Sequence, residues 1–121
     1  MANGHLKIGE LGEDLAVEVL KDKDYKIMER NAENKFGEID IVAAKDNVVV
    51  FVEVRSKIGK DFGLPEETIG FHKKRKLIKN AKRYIKLNNI ENPYRIDVIG
   101  VVFSKNKEVL RKKHYKNITL N

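Results

Sequence analysis

Two acids, Asp40 and Glu53, interrupt the apolar stretch GEIDIVAAKDNVVVFVEVRSK at residues 37–57. A carboxylate within a buried strand is destabilising unless a cation or a hydrogen-bond donor answers it. Two carboxylates held side by side suit the binding of a divalent cation, because Mg²⁺ prefers oxygen ligands. The intervening turn decides whether these two meet. Lys45-Asp46-Asn47 joins the β-branched runs Gly37–Ala44 and Val48–Arg55, and Asn tolerates the left-handed backbone that a two-residue Asp46-Asn47 turn requires. In that register Lys45 pairs with Val48, Asp40 faces Glu53 and Glu38 faces Arg55. Period-two alternation sets those four charged residues on one face and Val48, Val50, Val52 and Val54 on the other. Facing carboxylates lie ~4.5–5.5 Å apart at Cβ and repel, which a bound cation relieves. The competing arrangement is an ionic cluster in which Arg55 and Lys57 neutralise the acids. A one-residue change in the turn would send the acids to opposite faces.

The elements that must position these residues follow from hydrophobic spacing. Leu6 to Asp22 repeats apolar residues at Ile8, Leu11, Leu15, Val19 and Leu20, the spacing of a helix. Glu13 lies at the edge of that stripe, on the flank of Gly9 and Ala16, whose small size permits close approach to a sheet; Glu10 points further away. Tyr25–Asn31 predicts a strand with Tyr25 and Ile27 on one face. Residues 58–70, with three glycines and a proline, predict a loop in which Gly59, Gly63 and Gly70 act as punctuation. Phe71–Asn88 is helical, with Leu77, Ile78, Ala81, Tyr84 and Ile85 as its apolar stripe. Arg95–Phe103 and Glu108–Leu120 predict two further strands, and Arg95 with Asp97 a structural ion pair. The order α-β-β-β-α-β-β implies an α/β fold, a mixed sheet flanked by helices.

The whole chain narrows the chemistry further. Its 121 residues fit a single domain. The absence of cysteine excludes disulfides and thiolate-bound metals. His5, His72 and His114 have no ligand spacing and are taken as incidental. The opening MANGHLKIGE has no apolar signal core, and the longest apolar run, Val48–Val52, is far short of a membrane span; a cytoplasmic protein is expected. A net charge of +7 favours a polyanionic partner.

Four ordered blocks carry a resemblance over nearly the whole chain: Gly9-x-x-Gly12-Glu13-x-x-Ala16, Gly37-Glu38-Ile39-Asp40, Val52-Glu53-Val54-Arg55 and Arg95-Ile96-Asp97-Val98. Together they resemble the YraN-type bacterial proteins. That family is similar to restriction endonucleases and archaeal Holliday-junction resolvases, which share the PD-(D/E)xK nuclease core. The resemblance implies a restriction-endonuclease-like fold, with Asp40 and Glu53 as ligands of Mg²⁺ or Mn²⁺ and Glu13 completing the site. It also allows a homodimer, since related resolvases are dimers. One departure stands out: the nuclease motif ends in Lys, and this chain has Arg55. Arginine stays protonated, so it can hold a phosphate or a water but cannot act as a general base. Lys57, on the same strand face, is the alternative for the lysine role.

Lys73, Lys74, Arg75, Lys76, Lys79, Lys82, Arg83 and Lys86 follow with no acid among them. Charge of one sign along a helix is self-repelling and suits a phosphate backbone. The alternative is a solvated face on a basic protein. A membrane surface is a poorer match, because the apolar stripe of this helix is needed for the core. Aromatic content is only 7%, with no RNA-recognition signature, which places duplex or branched DNA ahead of RNA. The expectation is a Mg²⁺-dependent endonuclease-like protein acting on DNA. The alternatives are a non-catalytic nucleic-acid-binding module and a protein-interaction adaptor.

Overall fold

In the computed structural model, which describes residues 7–59 and 63–119, the hairpin turn has the expected form. His5, Leu6, loop positions 60–62 and Leu120 lie outside those residues. Asp46 and Asn47 both adopt positive φ, 51° and 67°, as a primed two-residue turn demands. Lys45 pairs with Val48, so the register follows the sequence reading.

The elements are α1 (Ile8–Asp22), β1 (Lys26–Asn34), β2 (Gly37–Lys45), β3 (Val48–Ile58), α2 (Phe71–Leu87), β4 (Tyr94–Phe103) and β5 (Val109–Tyr115). A 3₁₀ turn, Pro65–Thr68, lies within the expected loop. The fold is a mixed α/β sheet in the order β1-β2-β3-β4-β5, antiparallel except for the parallel pair β3–β4. A parallel pair needs a crossover, and the loop with α2 provides it. That pairing also carries β3 beyond Arg55, because Ile58 still faces Phe103.

Each face of the sheet has its own core. Ala16, Val17 and Leu20 of α1 pack on Ile41, Ala43, Val50, Val52, Ile99, Val101 and Phe103. Leu77 and Ala81 of α2 pack on Ala32, Ile39, Val42, Val49, Phe51 and Ile96. Strand β3 therefore buries both faces, as a central strand beside a parallel partner should.

Close approach of α1 comes from Gly12 and Ala16. A Cβ on Gly12 would stand 1.8 Å from Ser56 Oγ and 3.0 Å from Ser56 Cβ, whereas one on Gly9 would meet nothing within 4 Å. The role expected of Gly9 therefore belongs to its neighbour one turn on. Ser56 can rotate its hydroxyl but not its Cβ, so Gly12→Ala should push α1 from the sheet. We expect a loss of about 1–3 kcal/mol in a denaturant melt. Ser56→Gly in the same chain should recover much of it; simple additivity of the two losses would show that the contact is not the cause.

Asp97 is fully buried and forms the expected pair with Arg95, at 3.0 Å from Nε to Oδ1. His114 is not incidental: its Nε2 lies 2.8 Å from Asp97 Oδ2, its Nδ1 lies 3.0 Å from Lys23 Nζ, and its side chain is 2% exposed. The Asn117 amide donates to Asp97 Oδ1 at 2.9 Å, and Arg95 also donates to the Tyr25 hydroxyl. Burial raises the Asp97 carboxyl, but the hydrogen bonds from His114, Arg95 and Asn117 outweigh it and hold the group below the usual carboxylate range. This network fastens β5 and the segment after it to the sheet.

Candidate metal centre and nucleic-acid interface

The β2–β3 ladder ends at Ile41 opposite Val52. One step further, where the strands part, Asp40 comes opposite Glu53, and the Val54 amide donates to Asp40 Oδ2 at 2.8 Å instead of to a β2 carbonyl. Glu13, Glu38 and Asp40 each offer a carboxylate oxygen, and those oxygens lie within 4.8 Å of one another. Helix α1 thus delivers Glu13 to the end of β2, as expected, and Glu38 joins it. Burial raises the Asp40 carboxyl to about 7, the Glu53 charge adds to the rise, and the Val54 hydrogen bond opposes it. Glu13 is also raised, by burial and by Glu38, against the attraction of Arg30, whose guanidinium lies 3.8 Å away. With its amide nitrogen turned to the acids, Asn31 donates to Glu13 at 3.0 Å and to Glu38 at 2.9 Å.

The expectation that Glu38, Asp40, Glu53 and Arg55 share one sheet face needs correction. Arg30 reaches Glu13 and Asp14 of α1, yet Ala32, two residues on, lies in the core under α2. Ile41 packs under α1 and Ile39 under α2. Alternation breaks at Asn31, whose φ is +52° in the middle of β1, between the pairs Arg30–Ile41 and Ala32–Ile39. Glu38 turns to Glu13, Asp40 lies between Glu13 and Glu53, and Glu53 keeps to the α2 side with Lys73.

Glu53 is only 6% exposed. Its Oε2 lies 3.2 Å from the Arg55 guanidinium and 3.4 Å from Lys73 Nζ. Of the competing ionic cluster, the Arg55 pairing is present, and Lys73 from the start of α2 is the second cation on that carboxylate. Lys57 donates to the Gly63 carbonyl at 2.6 Å, on the loop that leads into α2. Along α2 the side chains of Arg75, Lys76, Lys79, Lys82 and Lys86 are exposed, and those of Lys73, Lys74 and Arg83 are half-buried. The basic helix therefore begins at the acidic centre, through Lys73, and runs away from it.

The model of the family described as "Uncharacterised protein family UPF0102" matches residues 12–101. The chain belongs to that family. UPF0102 proteins similar to it include one from Dictyoglomus turgidum, 38% identical over 112 residues that cover 92% of this chain and 95% of that relative. Another, from Caldanaerobacter subterraneus subsp. tengcongensis, is 40% identical over 109 residues, covering 89% of each chain. A third, from Persephonella marina, is 46% identical over 95 residues, covering 78% of this chain and 82% of the relative. This is the YraN type that the four sequence blocks resemble.

The UPF0102 match, residues 12–101, spans Glu13, Glu38, Asp40, Glu53, Arg55, the whole of α2 and the Arg95–Asp97 pair. Within that span the fold sets Asp40 between Glu13 on one side and Glu53 with Arg55 on the other. It adds Glu38, Asn31, Arg30 and Lys73. Glu38 was discernible from its place two residues before Asp40. Lys73 carried no signal of its own, being one cation among eight on α2.

Proposed function

We propose that this UPF0102 chain is a divalent-metal-dependent, endonuclease-like protein that binds DNA along α2 and hydrolyses its backbone at the acidic centre. The observation that carries the reading is the convergence of Glu13 on Glu38 and Asp40, with Asp40 raised to about 7 beside a buried Glu53. A donor set made of carboxylate oxygens fits Mg²⁺ or Mn²⁺. Glu13, Glu38 and Asp40 would hold the ion, with Glu53 adjoining. When bound, it would neutralise the carboxylates, lower the pKa of a coordinated water and offset charge developing on the phosphate. Arg55 and Lys73, on Glu53 at the edge of the centre, suit a phosphate oxygen, and the exposed cations of α2 would track the flanking backbone.

One observation favours a second reading, a non-catalytic nucleic-acid-binding module. Glu53 Oε2 is already matched by two cations, Arg55 and Lys73. Nicking of supercoiled DNA and cleavage of four-way DNA in Mn²⁺ distinguish the two. For the enzyme, activity should disappear in EDTA and fall by about 10- to 100-fold in Glu53→Ala while DNA binding persists. Cleavage that survives EDTA would point away from the acidic centre. No cleavage with any divalent ion would favour the module.

A further inference from the structure

Two large aromatic side chains stand unburied beside this centre. Phe71, the first residue of α2, is 69% exposed, and Phe36, at the tip between β1 and β2, is 38% exposed. Neither contributes to either core cluster. Cations accompany both rings: Lys35 and Lys79 lie 5.3 and 5.8 Å from the centroid of Phe36, and the Arg75 guanidinium lies 5.7 Å from that of Phe71. Next to them is an open cavity of about 400 Å³ lined by His72, Lys73, Arg75, Lys76 and Lys79. Lys79 links that cavity to Phe36, and Lys73 links it to Glu53. No acid lines it.

An exposed ring among cations is a poor surface for a neutral or cationic partner. It matches a polynucleotide, whose phosphates pair with the cations and whose bases have apolar faces. Within an intact duplex those faces are covered by neighbouring bases, so a ring at the rim can stack only on a base that has left the stack. We propose that Phe36 and Phe71 form a stacking site for unstacked bases, so that the preferred ligand carries a single-stranded segment adjoining a duplex. The inference rests on the nucleic-acid reading above and specifies its substrate class. The duplex would lie along α2, and the strand leaving it would pass the cavity beside the acidic centre.

The test uses the full chain in EDTA, so that no probe is cut, with two fluorescent DNAs of equal phosphate count. One is fully paired; the other ends in a thymine overhang carrying 2-aminopurine next to the junction. Wild type should bind the overhang more tightly and quench the 2-aminopurine. Phe71→Ala and Phe36→Ala should each weaken overhang binding about fivefold or more, with paired-duplex affinity and salt dependence unchanged. Phe71→Trp should retain both affinity and quenching. Equal weakening on both DNAs, or no effect on either, would overturn the stacking site while leaving the DNA-binding reading standing. Failure of wild type to bind either DNA would overturn both.

Discussion

Asp40→Asn should stabilise the metal-free protein at about pH 8 and change little at about pH 4. In the folded chain the Asp40 carboxyl is raised from 3.8 to about 7, chiefly by burial and then by Glu53. Between those values the folded state holds a proton that the unfolded state has released. Stability therefore falls as pH rises through that window, and the loss is complete above about pH 7. A gap of about three pH units corresponds to roughly 4 kcal/mol at most. Asparagine removes the charge and keeps an oxygen to accept from the Val54 amide. Glu53→Gln should act in the opposite direction, because it leaves Arg55 and Lys73 without their carboxylate; a loss of about 1–3 kcal/mol is expected. Millimolar Mn²⁺ should stabilise wild type, by about 2.7 kcal/mol at a hundred times the Kd, and Asp40→Asn should lose most of that gain. Thermal melts across pH, with EDTA or Mn²⁺, measure all three. A destabilised Asp40→Asn at high pH, with wild type indifferent to Mn²⁺, would remove the metal centre.

Charge reversal on α2 should produce the largest change in affinity. Lys76, Lys79 and Lys82 are exposed, whereas Arg83 is half-buried with its Nε enclosed, so the first three are the cleaner choice. Changing them to Glu takes the formal net charge from +7 to +1, since each reversal removes two units. Duplex affinity should fall by about a hundredfold or more near 0.1 M salt, for all sequences alike. The slope of log K against log salt should shrink by about 0.9 for each phosphate that the helix no longer neutralises. Fluorescence anisotropy over a salt series gives both quantities. The melting temperature should hardly move, because these side chains are exposed. Unchanged affinity would exclude this face of α2 from the interface.

The features legible in the sequence are those set by neighbours along the chain. The Asp46-Asn47 turn and the valine run specified the β2–β3 register, and with it the approach of Asp40 to Glu53. The apolar stripes placed α1 and α2, and the run of cations gave α2 its charge. Tertiary packing decided the rest. The parallel pairing with β4 extended β3 to Ile58, which the hairpin pattern could not foretell. Alternation reverses where left-handed Asn31 stands across from Asp40, and Glu38 and Asp40 there meet Glu13. A period-two rule has no means of locating such a reversal: Asn tolerates a left-handed backbone, but its presence alone does not say that the strand adopts one there. Close packing of Gly12 on Ser56 set the depth of α1, and the crossover brought Lys73 onto Glu53. His114, distant from Lys23 and Asp97 in the chain, became their buried partner only once β5 paired with β4. Local spacing determines what a residue can offer; the side chain that answers it is chosen by chain closure over long separations, which spacing does not encode.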